Sequence, residues 1–170
     1  MNFFRVLTLT AGFLLPFQYS YASPAKSPKS EANPSTSTVK PKGQVRVYKG
    51  DDGITVSIVE LSEPANSALI KVEGTNSDID DAVLLHQRKE HDGGRRFSYD
   101  TKFRGSGFST VFSESGMWGD QLLLQNPDNV MKKIGLYYDS KASKDAKPET
   151  LVNQHNTQAK SGKLSKVQGK

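Results

Sequence analysis

The stretch LLHQRKEHDGGRRFSYDTKFRG, Leu84 to Gly105, brings together two histidines, several carboxylates and a dense set of arginines and lysines. Metal sites and acid–base catalysts are built from such side chains, so their spacing decides whether they can act together. His86-x-x-x-Glu90-His91 matches neither the His-x-x-x-His of a helical zinc protease nor its inverted His-x-x-Glu-His form. On a helix, His86 and Glu90 would align and His91 would point elsewhere; on a strand, the two histidines take opposite faces. Zinc requires three or four converging ligands. The chain has no cysteine, and His155 lies far along the sequence, so no metal site is expected.

A β-hairpin accounts for the same residues without chemistry. A three-residue loop Asp92-Gly93-Gly94, with Gly94 left-handed, sets His91 opposite Arg95. Val83, Leu85, Phe97, Tyr99 and Phe103 then share a core face. Leu84, His86, Arg88, Glu90, Arg96, Ser98, Asp100, Lys102 and Arg104 share a solvated one. That register pairs Glu90 with Arg96 and His86 with Asp100, opposite-charge pairs worth ~0.2–1 kcal/mol each.

Other reactive patterns are weak. Asp78, Asp80 and Asp81, and Asp51 with Asp52, lack the loop spacing and oxygen count that calcium takes. GSGFST, Gly105 to Thr110, lacks the third glycine and following helix of a dinucleotide loop and the lysine of a phosphate loop. There is no Gly-x-Ser-x-Gly elbow, a cysteine nucleophile is excluded, and nothing in the spacing binds Ser, His and Asp into a triad. The expectation is no catalytic residue, no cofactor and no enzyme. A small hydrolase would require a cleft joining His86 or His91 to a serine or carboxylate.

Binding residues are better candidates. Met117 and Trp118, the one tryptophan, sit between glycines at a strand junction, where an exposed aromatic side chain marks a contact surface and a buried one is an ordinary core anchor. Tyr137 and Tyr138 alternate on one strand, so one of them faces out. Tyr137, with Arg96, Lys102 and Arg104 of the hairpin, completes the set.

The elements that would carry these residues are strands. Apolar residues recur with period two in QVRVY, ITVSIVEL, ALIKVEG, GFSTVFSES and KKIGLYYD, and Leu122 to Leu124 form a short continuous apolar run; turn signals such as KGDDG, SEPANS and NPDN separate them. The fold class expected is all-β: a small antiparallel β-sandwich or partly open barrel of about eight short strands over 44–139. Only Asp80 to Glu90 competes as a helix. Proline 148 could open a short helix, within a basic, mostly disordered tail over 140–170.

The N-terminus reads as a secretory signal peptide, 1–22: Arg5, an apolar run from Val6 to Phe17, and small residues at Ser20 and Ala22 ahead of cleavage before Ser23. The apolar run is short for a transmembrane helix. Residues 23–43 hold four prolines, five serines and four lysines and read as a disordered linker. The formal charge of +5 divides unevenly: 44–139 carries 11 Lys+Arg against 15 Asp+Glu, a net −4, so the basic character belongs to the flanks. A nucleic-acid-binding barrel is therefore not expected. The absence of cysteine and of glycosylation sequons fits a bacterial envelope protein. The function expected is an exported, periplasmic or secreted, non-enzymatic binding module with a protein partner, of inhibitor or accessory type. The alternative is a binder of anionic envelope polymers or carbohydrate through exposed aromatics and the lysine-rich tail, whose lysines would add ~1 kcal/mol each near an anionic surface.

Overall fold

The computed structural model describes residues 39–116 and 119–169. The expected signal peptide and most of the expected linker lie outside the described residues, as do Met117 and Trp118.

Among the described residues nine strands form: β1 (Lys40–Pro41), β2 (Arg46–Lys49), β3 (Thr55–Glu63), β4 (Ser67–Glu73), β5 (Val83–His91), β6 (Arg96–Phe103), β7 (Ser106–Gly116), β8 (Gly119–Gln125) and β9 (Lys133–Tyr138). From β2 to β9 each strand pairs antiparallel with the next, and β9 returns to β2 through Tyr48↔Tyr138 and Lys49↔Tyr137. The protein is all-β, with eight strands closed into an up-and-down barrel. The sandwich and the partly open barrel are corrected: closure removes the free edges that either would leave. β1 extends the same edge of β3 beyond β2, with Pro41↔Leu61 and Lys40↔Glu63. The last residues of the expected linker are therefore ordered, and Val39 is buried.

Two apolar layers hold the barrel. The lumen packs Val56, Ile58, Ile70, Leu84, Tyr99, Phe108, Val111, Leu124 and Leu136. An outer layer packs Val45, Val47, Val59, Leu61, Leu69 and Val83 against Leu151. Strands covered on both faces lose the strict alternation: Ala68, Leu69 and Ile70 are consecutive and fully buried.

The outer layer exists because the C-terminus is folded. The disordered tail expected over 140–170 is instead α1 (Ser140–Asp145), α2 (Pro148–Lys160) and α3 (Lys163–Gln168). Asp139 caps α1 by accepting from the Ala142 N–H at 2.9 Å. Pro148 opens α2, where its missing N–H costs nothing. Leu164 and Val167 of α3 enter the lumen cluster and plug one end of the barrel. The backbone N–H groups of Arg104 and Gly105 donate to the carbonyls of Val167 and Gln168 at 3.0 and 2.8 Å. Gly169 lies so close to this turn that a Cβ would stand 2.7 Å from the Arg104 carbonyl carbon, and its φ of +74° also favours glycine.

Helix α2 repairs a gap in the wall. β5 and β6 pair only from Gln87↔Asp100 to His91↔Arg96. Below that level the Val83 N–H donates to Gln158 Oε1 at 2.8 Å, and the Val83 carbonyl accepts from His155 Nδ1 at 2.7 Å. The Leu85 carbonyl accepts from Thr101 at 2.9 Å. Side chains replace the missing ladder, as buried backbone groups demand.

Candidate functional site

The β5–β6 hairpin differs from the expected register by one residue. The loop is four residues long, with positive φ at Asp92, Gly93 and Gly94, so His91 pairs with Arg96 rather than Arg95. A slip of one residue moves a whole side-chain set to the other face. Leu84, His86 and Arg88 therefore face the lumen with Phe97 and Tyr99, while Val83 and Leu85 pack outside in the α2 layer. His86 does not meet Asp100 on a solvated face.

His86 is 1% exposed. Its Nδ1 stands 2.9 Å from the Leu84 carbonyl, which can only accept, so Nδ1 carries the proton. Nε2, 2.7 Å from Thr110 Oγ1, then accepts from that hydroxyl. Burial disfavours the charged ring and lowers its pKa to about 4, against smaller raising effects of the Leu84 carbonyl and Asp100. A neutral, sealed imidazole bonded on both nitrogens is a structural histidine.

His91 is exposed, and its Nε2 lies 3.0 Å from Ser98 Oγ. Both line a groove of about 420 Å3 on the outer wall, with Lys89, Arg96, Asp100, Ser109 and Phe112. This is the histidine–serine contact that a hydrolase would need, but the acid is elsewhere. Asp100 pairs with Lys89 at 2.7 Å and accepts from Ser109 at 2.7 Å. Burial opposes its charge, yet Lys89, Ser109 and Ser98 together hold its carboxyl below the usual range. No carboxylate bonds the His91 ring among the described residues, so nothing orients it as a base.

The opposite end of the barrel from α3 is its mouth. Arg46 of β2 and Glu60 of β3 both point inward, and Tyr99 reaches Glu60 across the lumen. Arg46 Nη2 donates to Glu60 Oε1 at 2.6 Å and to the Tyr99 hydroxyl at 3.3 Å. Burial and the Glu60 carboxylate together push the Tyr99 phenol up, so it stays a donor. Burial works against the charge on Arg46, but Tyr99, Tyr48 and Glu60 outweigh it and raise its pKa. Beside this network Arg88 stacks over Phe97, 4.9 Å from the ring centre. Lys42, Arg46, Glu60, Leu61, Asn66, Arg88, Phe97 and Tyr99 enclose a pocket of about 330 Å3. Sequence reasoning missed it because it placed Arg88 on the outer face.

The candidate binding residues are scattered. Arg96 pairs with Asp92 beside the wall groove. Lys102 is exposed on β6. Arg104, in the two-residue β6–β7 turn at the plugged end, bridges Asp78 and Asp128 at 2.8 and 2.9 Å. Tyr137 is 63% exposed near the end of β9. Tyr138 is also exposed, at 57%, although alternation sends one of the two inward: β9 ends there, and its ring only edges onto Tyr48 at 5.7 Å. Met117 and Trp118 fall outside the described residues.

The aspartate loops hold themselves. Asp80 accepts from the N–H groups of Thr75 and Asn76 at 3.1 and 2.8 Å, and Asp81 pairs with Lys71 at 3.3 Å. Among the described residues no group of three His, Cys, Asp or Glu side chains could hold a metal ion. Nor is any helix among them long and apolar enough to cross a membrane.

No family model, curated protein or solved structure matches the chain. The functional reading therefore rests on its own geometry.

Proposed function

We propose that the protein is an exported binding module of the bacterial envelope that contacts another protein, as an inhibitor or accessory subunit, and catalyses no reaction. The observation that carries this reading is the pair Tyr137 and Tyr138, adjacent at the end of β9 with more than half of each exposed. Tyrosine offers large contact area with few rotors to freeze, and such side chains anchor protein interfaces. The body behind them is rigid, with a lumen filled by side chains and the polar network at its mouth fixed by hydrogen bonds. Export is supported by the signal-like pattern of Arg5, Val6–Phe17 and Ser20–Ala22.

A second reading has its own support. Lys141, Lys144, Lys147 and Lys160 are all exposed on α1, α2 and their junction, and could grip an anionic polymer.

The test is affinity capture from envelope extract with the chain Ser23–Lys170, at low and high salt, followed by titration of the captured partner. The expected result is one protein retained at high salt, with Tyr137→Ala weakening the purified pair at least tenfold. Retention that vanishes with salt and needs the four lysines would replace this reading with the second.

A further inference from the structure

The mouth pocket has a chemistry of its own, apart from the tyrosines. We propose that it binds a carboxylate carried on a flat or apolar body. Three cations line it, Lys42, Arg46 and Arg88, on a barrel that is acidic overall. Their donors are incompletely used. Arg46 bonds through Nη2 alone and Arg88 through Nη1, to Glu90 at 2.5 Å, while the Lys42 ammonium makes no hydrogen bond among the described residues. Both guanidinium groups are reachable, the Arg46 side chain being 42% exposed and that of Arg88 29%. A guanidinium fork suits the two oxygens of a carboxylate.

Charge selects the valence of the ligand. Three cations against Glu60 and Glu90 leave one positive charge, which a single carboxylate balances. A dianion would meet the Glu60 carboxylate inside the pocket. Apolar surface selects the rest: Phe97, held under Arg88, gives an aryl or alkyl body a face to cover. The pocket volume of about 330 Å3 fits a small aryl or alkyl carboxylate.

The experiment titrates the intact chain with benzoate, benzamide and inorganic phosphate, reading the arginine Nε–H signals by nuclear magnetic resonance. Benzoate is expected to shift the Arg46 and Arg88 signals saturably, with Kd of about 1 mM or tighter. Benzamide, the neutral isostere, and phosphate should bind at least tenfold more weakly. Arg88→Gln should weaken benzoate at least fivefold. It is the clean variant, because removing Arg46 would strand Glu60; Lys42→Gln, at a more exposed position, should weaken it about twofold. Tyr137→Ala should leave benzoate binding unchanged, so this result stands apart from the fate of the protein-binding reading. Equal binding of benzamide, preference for phosphate, an unaffected Arg88→Gln variant, or shifts confined to residues away from the mouth would each overturn the proposal.

Discussion

His86 shows what a single side chain does inside a filled barrel. Its ring bridges a backbone carbonyl and Thr110 and stays neutral because charging it there has no solvent to help. The consequence is a pH dependence of known sign. Above the unfolded value of 6.5 the ring is neutral in both states and contributes none. As pH falls toward about 4, the unfolded chain takes up a proton that the folded barrel does not, and stability drops. The loss attributable to His86 over that window is about 3 kcal/mol. Urea unfolding from pH 8 to pH 4 should show it, and His86→Leu should lack this loss, so that the stability difference between the two proteins changes with pH in that window; parallel curves would refute the role. Tyr99→Phe tests the mouth: it removes one donor from Glu60, which keeps Arg46, and should cost ~1–3 kcal/mol by denaturant midpoint.

At the scale of elements, period-two patterning was enough to read strands β2 to β4, β7 and β9, the apolar run Leu122 to Leu124 marked β8, and Pro148 was enough to place the start of α2. The register of β5 on β6 was not legible, because three- and four-residue loops through Asp92-Gly93-Gly94 fit the glycines equally and differ by one residue. That residue decides whether Arg88 is a solvated charge or part of a pocket, so the mouth was hidden in the sequence. The alternation in Val83, Leu84 and Leu85 could not arbitrate, since α2 covers the outer face as the lumen covers the inner. The helices are testable as structural parts. Leu164→Ala should cost ~2–5 kcal/mol, as expected for a buried leucine emptied from a core. Gln158→Ala, which leaves the Val83 N–H without its acceptor, should cost ~1–3 kcal/mol and speed amide exchange at Val83.

For the whole molecule, charge and architecture tell one story. An acidic barrel is wrapped by a lysine-rich C-terminal segment whose apolar residues, Leu151, Leu164 and Val167, complete both cores. The low density of those residues made the segment read as disordered; three buried side chains and four side chain–backbone bonds to Asp81 and Val83 are enough when a preformed barrel receives them. The central claim is that, among the described residues, the barrel and helices α1 to α3 form one cooperative folded unit. It is tested most directly by comparing the unfolding of Ser23–Lys170 with that of a chain ending at Asp139, followed by amide exchange at Val83 and Leu85. The prediction is that the shortened chain loses cooperative unfolding or most of its stability, with the β5 amides exposed. A shortened chain that unfolds at the same midpoint with the same protection would contradict it.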